Sequence, residues 1–195
     1  LFDSAVENKC SAELACARFL PTDQVAKQLA HLAHEVKFWQ LKDERATKLS
    51  DLLNFGYAPA ELIETLARGV FWNERFETYH ASHHQKKITA LEDLMRSLVV
   101  KNYISYRFGF GLASALLSSA DACARILEGH AGVDIAVVLY KDGKIAFRRR
   151  DDCNLDVRTL AELFSGGGQP FASGARINMT ITKDSFVDPL FTLDS

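Results

Sequence analysis

The sequence has no long run of apolar residues, although 48% of its 195 residues are hydrophobic. The longest near-apolar stretch extends from Ala131 to Tyr140 and is interrupted by Asp134. A helix that spans a bilayer needs about 20 apolar residues, so this stretch is far too short. The sequence therefore predicts no membrane partner.

A strong excess of one charge is also absent. The chain has 23 lysines and arginines against 25 aspartates and glutamates, which gives a net charge of −2. No global positive field would draw such a chain onto a polyanion. Any nucleic-acid binding must therefore come from a local patch of basic side chains.

Paired cysteines are missing too. Cys10, Cys16, Cys123 and Cys153 form no C-x-x-C motif, and their spacing suggests no disulfide framework. Free thiols are typical of a reducing compartment, so we expect a cytoplasmic protein. The chain begins at Leu1 without a visible signal peptide. We expect it to be a piece of a longer protein whose missing part lies upstream.

The motifs of several enzyme classes do not occur. The sequence contains no Asp-His-His, no D-x-D, no G-x-S-x-G and no Walker motif. Cys123 and His130 are two helical turns apart, with no third group to orient them. We therefore expect no catalytic residue in this chain.

The histidines offer only a weak metal-binding pattern. His80 and His84 are spaced i, i+4 on a predicted helix with His83 beside them, as in some zinc sites. No carboxylate or cysteine follows at a suitable spacing, and SHHQKK is typical of a solvent-exposed face. The sequence therefore predicts no metal site, and half-buried helix positions for His31 and His34.

Glycine is scarce in the first half of the chain. Only Gly56 and Gly69 lie in the first hundred residues, whereas nine of the eleven glycines lie at Gly109 or beyond. Because glycine marks tight turns, we expect an α+β, or mixed, fold. A mostly helical N-terminal half and a long connector helix would precede a compact α/β domain with a small mixed sheet.

Helical periodicity and helix breakers divide the first half into segments. The predicted helices are ENKCSAELACARFL, QVAKQLAHLAHEVKFW after a cap at Thr22 or Asp23, ERATKLSDLLNF, AELIETLARGV, and a long helix from Asn73 to Val100. The predicted divisions are residues 1–72 as the helical remnant of an N-terminal lobe, residues 73–102 as the connector helix, and residues 103–195 as the C-terminal domain.

The second half is predicted to alternate between strands and helices. Its segments are an extended YISYRFGFGLAS, a helix in SSADACARILEGH, the strands GVDIAVVLY and IAFRRR around the turn KDGK, a helix VRTLAELF capped by Asp156, and a last strand within GARINMTIT.

The strand KIAFRRR carries three consecutive arginines. Period-2 alternation gives it two faces, one with Ala146, Arg148 and Arg150 and the other with Ile145, Phe147 and Arg149. Two guanidiniums on one face match a phosphate, because each planar fork donates to two oxygens at once. The alternative is a solvated strand end, neutralised by the two aspartates that follow.

Three glycines follow the next predicted helix. Gly166, Gly167 and Gly168 can adopt positive φ and let a ligand approach the backbone, and their N–H groups can form an anion-binding nest. The alternative is a helix C-cap and a turn, since the helix must end here. The small residues of ASGA follow, so we expect something to pack very close to this stretch.

The stretch IAFRRRDDCNLDVRTLAELFSGGGQPFASGA resembles the C-terminal, DHH-associated domain of the DHH phosphoesterase family, and the likeness covers about residues 103 to 182. That family includes RecJ-type exonucleases and oligoribonucleases. The resemblance implies a two-lobed enzyme whose N-terminal lobe holds two manganese ions on an Asp-His-His motif and further aspartates. That motif is absent here, so we expect no cofactor in this chain. Manganese would be bound only if an intact catalytic lobe were present.

The resemblance also implies roles for individual residues. The glycine loop and Arg148, or Arg150 in its place, would bind the substrate, and Gln169 stands where the family usually has a phosphate-contacting histidine. Glutamine can donate a hydrogen bond to a phosphate, but it cannot carry a charge. Lys37 lies where relatives often have an acidic residue, and an ammonium cannot ligate a metal ion. Both changes indicate weakened or lost catalysis.

Three functions are compatible with this resemblance. The first is the part of a phosphoesterase, an exonuclease or oligoribonuclease, that grips single-stranded nucleic acid or a short oligonucleotide. The second is a catalytically inactive RecJ-like scaffold of an archaeal-type replication complex, which binds the GINS assembly around Phe38, Trp39, Phe71 and Trp72. The third is the C-terminal domain of alanyl-tRNA synthetase, which has a related glycine-rich stretch.

Overall fold

The structure is a computed structural model that describes residues 9–38, 40 and 42–182. These residues form helices and a six-stranded sheet, an α+β fold as the sequence predicts. The chain divides into two compact units, residues Leu1–His84 (unit 1) and Gln85–Ser195 (unit 2). Among the described residues, no helix is both long and apolar enough to cross a membrane.

Unit 1 is helical. It contains helices α1 (Ser11–Phe19), α2 (Gln24–Lys37), α3 (Glu44–Asn54), α4 (Pro59–Ala67) and the first part of α5 (Glu74–Arg96). The helix starts follow from local chemistry: Asp23 accepts a hydrogen bond from the Ala26 N–H at 2.8 Å, as an N-cap does. Pro59 is the first residue of α4, where its missing N–H costs nothing.

The core of unit 1 lies between α2, α3, α4 and α5. Leu52 and Phe76 have no exposed surface, and the other buried members are Leu32, Ala46, Leu49, Tyr57 and Leu62. Phe71, Trp72 and Tyr79 are half-buried against this core. Two of the aromatic residues that the sequence assigns to a partner interface, Phe71 and Trp72, therefore pack within unit 1.

Unit 2 begins within α5, which ends at Arg96. The helical pattern predicted through Val100 stops earlier, because Val99–Tyr103 forms strand β1. The β-branched Val99 and Val100 favour the extended backbone of a strand over a helix. The remaining elements are β2 (Tyr106–Ala113), α6 (Ser119–Gly129), β3 (Ile135–Tyr140), β4 (Lys144–Arg149), α7 (Val157–Glu162), β5 (Gly167–Gln169) and β6 (Ala172–Arg176).

The strands form one mixed sheet in the order β1-β2-β3-β4-β6-β5. β2 and β3 are parallel and connected through α6, whereas the other neighbours are antiparallel. A parallel pair requires a crossover of this kind. Every residue of β3 is buried, which explains why its sequence, IAVVLY, is apolar without alternation.

Helices cover both faces of the sheet. α6 packs on β2, β3 and β4, and α7 packs on β4, β5 and β6. We call the side on which α6 packs the α6 face and the opposite side the α7 face. The core beneath α6 contains Cys123, Ile126, Val138 and Ala146, whereas Phe147 belongs to the core beneath α7.

The glycine-rich segment differs from the prediction. Its last two glycines and Gln169 form β5, an edge strand paired with β6, rather than a loop. The final strand, predicted within residues 174–182, is β6 and begins earlier, at Ala172. Pairing with β4 fixes these bounds, and the local sequence carries no sign of that long-range contact.

Candidate functional site

The α6 face of β4, β6 and β5 brings three of the six predicted site residues together: Arg148, Gly167 and Gln169. Ala146 packs in the core beneath α6, so the period of two places Lys144 and Arg148 on the same face. Pairing extends this face across the sheet: Arg148 is opposite Ala172, and Ala172 is opposite Gln169. Ile145 and Phe147 pack in the core beneath α7, on the side opposite to Ala146, which confirms the predicted alternation along β4.

The floor of this face is made of very small residues. Ala146 is opposite Gly174 on β6, and Gly174 is opposite Gly167 on β5. A Cβ atom added to Gly167 would meet no other atom within 4 Å. We call these three residues, which carry at most a methyl group, the glycine strip. Its open space lies at Gly167, because Ala146 is buried beneath α6 and a Cβ atom on Gly174 would lie 3.1 Å from the Ile145 carbonyl oxygen.

Gly166 and Gly168 have a different reason to be glycine. A Cβ on Gly166 would lie 2.3 Å from the Gly174 carbonyl oxygen, and one on Gly168 would lie 2.6 Å from Ser173 Cα. Gly168 also has a φ of 146°, which side chains rarely allow. The close packing expected around this segment comes from the chain's own strand β6.

The end of α7 uses the backbone of the first glycine. The Gly166 N–H donates to the Ala161 carbonyl at 2.9 Å, and the Ser165 N–H donates to Glu162 at 3.0 Å. These two bonds and the φ of 57° at Ser165 form a Schellman-type helix end. The alternative of a helix end is therefore correct for the start of the glycine run, but Ser165 takes the left-handed position and Gly166 contributes only its N–H.

The three arginines have separate environments. Arg150 donates from Nε to the Val133 carbonyl at 2.6 Å and from Nη2 to Leu127 and His130. It thereby satisfies carbonyls at the C-terminal end of α6, where a cation is favourable. These donors are engaged by backbone carbonyls, so Arg150 has a structural role at the end of α6.

Arg149 lies on the opposite face, as the alternation predicts. Its guanidinium donates to the carbonyls of Cys153 and Pro170. Its backbone N–H donates to the Phe171 carbonyl at 3.2 Å. Arg149 therefore holds the two loops beside β4 in place.

Arg148 is half-buried on the α6 face near Cys123. Burial raises the pKa of the Cys123 thiol to about 12, although the positive charges of Arg148 and Lys144 act in the opposite direction. The thiol is therefore neutral at physiological pH and cannot serve as a nucleophile. The two cations mark the positive character of this face.

Two cationic side chains that the sequence reading did not select lie at the far end of the face. The Lys144 ammonium lies 4.8 Å from the centre of the Tyr140 ring, and Arg176 Nη1 lies 2.9 Å from Asp142 Oδ2. The Lys144 N–H and the Arg176 guanidinium hold the pKa of Asp142 below its ordinary value. Alternation along β4 could have identified Lys144, but Arg176 depends on the pairing of β6.

A depression lies beside these cations, at the carboxyl ends of the parallel strands β2 and β3. Its lining includes Ser114, Tyr140, Lys144 and Arg176. Ligands of α/β proteins bind outside the carboxyl ends of strands more often than elsewhere. The α6 face thus extends from the Arg148–Gln169 end to a concave, positively charged end.

Several other predicted residues lie in unit 1. Lys37 is exposed at the end of α2, and Phe38 is 37% exposed. Trp39 lies outside the described residues. His34 is half-buried as predicted, whereas His31 is exposed.

The cysteines and the stretch SHHQKK can also be compared with their predictions. All four cysteines are free, which confirms the absence of disulfides. The predicted solvent face of SHHQKK is correct for His84 but wrong for Lys87. Lys87 is only 8% exposed, and its ammonium lies 3.1 Å from Asp121 Oδ2 in unit 2.

Comparisons with known proteins identify the fold but not a family. No family model and no curated protein matches the sequence. Among solved structures, the DHH domain of a member of the S1p family of ribosomal proteins is similar with a TM-score of 0.51 at 14% identity. The match covers 88% of this chain and 47% of that one.

Two further structures are similar at lower scores. The pGpG-specific phosphodiesterase PggH from Vibrio cholerae has a TM-score of 0.44 and 12% identity over 64% of this chain and 47% of that one. An uncharacterized protein from Helicobacter pylori G27 has a TM-score of 0.38 and 16% identity over 88% and 61%. This chain therefore spans between 47% and 61% of the lengths of these proteins. Its fold is similar to that of a DHH-domain protein.

Proposed function

We propose that unit 2 binds the phosphates of single-stranded nucleic acid or of a short oligonucleotide on the α6 face, as the substrate-binding part of a DHH-type phosphoesterase. The observation that carries the proposal is the glycine strip. Open space at Gly167 lies on the same face as a half-buried arginine, Arg148, and an exposed amide, Gln169.

Each part of this face has a physical role in such binding. A backbone without side chains lets a sugar–phosphate chain approach closely. The planar guanidinium of Arg148 donates to two phosphate oxygens at once, and the Gln169 amide adds a neutral donor. Lys144 and Arg176, about 13 Å away along the strands, attract a phosphate farther along the chain. Because the net charge of the chain is −2, the attraction for phosphates must come from this local patch.

Bond cleavage would require residues beyond those that bind. The sequence contains no Asp-His-His and no D-x-D motif, so the described residues do not fit the manganese pair of the family. Gln169 cannot transfer a proton. The part of the reaction that we assign to this chain is to hold and orient the substrate.

The proposal can be tested by filling the glycine strip. Gly167→Leu adds a side chain where there is open space, so the variant should fold normally and block the approach of the nucleotide. Fluorescence anisotropy with a labelled short single-stranded RNA at two salt concentrations should show salt-sensitive binding to the wild type. Binding to Gly167→Leu should be at least about tenfold weaker. Equal affinity of the two proteins, with unchanged thermal unfolding, would contradict the proposal.

A second candidate function is the replication scaffold. It is favoured by Gln169 and Lys37, which replace the histidine and the acidic group expected of an active relative. Its interface would centre on Phe38, since Phe71 and Trp72 pack into the core of unit 1. Binding of purified GINS that is lost in Phe38→Asp, together with no RNA binding, would favour the scaffold. Absence of any GINS binding would exclude it.

A further inference from the structure

Three metal-ligating side chains converge in unit 1, outside the face described above. Asp51, His80 and His84 each offer one ligand atom, and these atoms all lie within 4.8 Å of one another. The sequence predicts no metal site here, because no carboxylate or cysteine follows the two histidines at a suitable spacing. The third ligand comes instead from another helix, 29 residues earlier in the chain.

Two helices position the cluster. Asp51 lies on α3, and His80 and His84 lie one turn apart on α5. The His80 Nε2 and Asp51 Oδ2 atoms are 3.3 Å apart. The two imidazole rings are stacked with centres 5.2 Å apart and an angle of 27° between their planes. An i, i+4 pair of histidines presents both rings on one side of a helix.

The surroundings of the cluster differ between its inner and outer sides. Asp51 and His80 are 4% and 7% exposed, and the rings of Phe55 and Trp72 lie 5.9 and 5.8 Å from the ring of His80. His84 is exposed. The buried side therefore provides fixed ligands in an apolar wall, while the exposed side gives an ion access to the cluster.

From this geometry we infer that Asp51, His80 and His84 bind a transition-metal ion, with zinc as the best match. Imidazole nitrogens suit zinc and neighbouring transition metals, whereas magnesium and calcium prefer oxygen ligands. Zinc lies about 2.0–2.2 Å from nitrogen and oxygen ligands, so tetrahedral ligands are about 3.4 Å apart. The His80–Asp51 pair already has this spacing.

His84 completes the site by turning its ring toward the ion. It is an exposed side chain, so turning its ring toward the ion disturbs no buried packing. Three protein ligands leave a fourth position for a water molecule. The inference concerns unit 1 and does not depend on the oligonucleotide-binding role of unit 2.

The test uses the full chain, titrated with Zn²⁺ by calorimetry and with Co²⁺ by its visible absorption. His84→Ala removes an exposed ligand, and His31→Ala removes an exposed histidine of the same unit that lies outside the cluster. Wild type and His31→Ala should bind one equivalent of Zn²⁺ and give the intense Co²⁺ bands of a four-coordinate site. His84→Ala should bind at least about tenfold more weakly, since even the loss of an outer partner costs that much.

Thermal unfolding gives a second measurement. Excess Zn²⁺ should raise the Tm of wild type and of His31→Ala, because an ion that binds only the folded state stabilises it, and it should raise that of His84→Ala much less. Asp51→Asn tests the carboxylate in the same way. If this buried variant does not fold, the comparison of wild type with His84→Ala is decisive, because His84 is exposed. Absence of Zn²⁺ binding to wild type, or equal affinity of wild type and His84→Ala, would overturn the inference.

Discussion

Arg148 and Gln169 lie on one face of the sheet because each is paired with Ala172, from opposite sides. Neighbouring strands are about 4.8 Å apart, so two strands separate their Cα atoms by about 10 Å. The residue between them, Ala172, carries only a methyl group. Under the proposed function, the phosphate lies between the Arg148 guanidinium and the Gln169 amide.

Substitutions at two neighbouring glycines should have very unequal effects on stability. Gly168→Ala places a Cβ 2.6 Å from Ser173 Cα at a φ of 146°. It should lower the free energy of unfolding by about 2 kcal/mol. Gly167→Ala meets no atom within 4 Å and should change the free energy by less than about 0.5 kcal/mol. Urea unfolding of the two variants measures the difference, and equal destabilisation would contradict the pairing of β5 with β6.

Arg150 should contribute to stability more than to binding. Arg150→Met removes donors to the carbonyls of Val133, Leu127 and His130. Leaving such groups unsatisfied should cost about 1–3 kcal/mol. Urea unfolding should show this loss, while anisotropy under folding conditions should show RNA affinity within about twofold of wild type. A stable variant that no longer binds RNA would instead restore Arg150 as the phosphate-binding arginine.

Much of the fold follows from local sequence patterns. The scarcity of glycine before Gly109 indicated the helical half, and period-2 alternation sorted Arg148 and Arg149 onto opposite faces, as observed. The apolar run of β3 and the turn after it were equally clear, since β-branched residues and a D-G turn carry their preferences locally.

The parts that could not be predicted depend on contacts between distant residues. Nothing in the glycine run shows that it pairs with β6, so a strand was read as a loop. The capping of α6 by Arg150 requires the tertiary fold, as does the approach of Asp51 to His80 across 29 residues. Local periodicity places a side chain on a face, but only tertiary structure supplies its partner.

Stability should fall at alkaline pH. Burial raises the pKa of Cys123 from 9.0, and that of Tyr140 from 10.0, to about 12. Between these pH limits the unfolded chain loses protons that the folded chain keeps. The stability is therefore complete below about pH 9 and decreases as the pH rises to about 12, by at most about 1.4 kcal/mol per pH unit for each group.

Two variants test this alkaline dependence. Cys123→Ala and Tyr140→Phe should each flatten the decrease in unfolding free energy between about pH 9 and pH 11. Tyr140→Phe should also lower stability at neutral pH, because the Tyr140 hydroxyl donates to the Leu117 carbonyl at 3.0 Å. A slope unchanged in both variants would show that other groups control the alkaline transition.

Gln169 should tolerate substitution by histidine, the residue usual at this position in the DHH phosphoesterases that the sequence resembles. In Gln169→His, an exposed imidazole becomes charged as the pH falls through its pKa of about 6.5. RNA affinity of this variant should therefore increase several-fold between about pH 8 and pH 6, whereas wild-type affinity should change much less. Anisotropy at the two pH values makes the comparison. The same pH dependence in both proteins would place Gln169 away from the phosphate.

The most direct test of the account is a matched charge reversal on the two faces of the sheet. Arg148→Glu reverses a charge on the α6 face, and Arg158→Glu reverses one on α7, where Arg158 pairs with Asp156 and Glu162. The measurement is the anisotropy of a labelled short single-stranded RNA at low and moderate salt. We predict at least about tenfold weaker binding and a shallower salt dependence for Arg148→Glu, with Arg158→Glu close to wild type. Equal losses in both variants, or no loss in either, would contradict an oligonucleotide site on the α6 face.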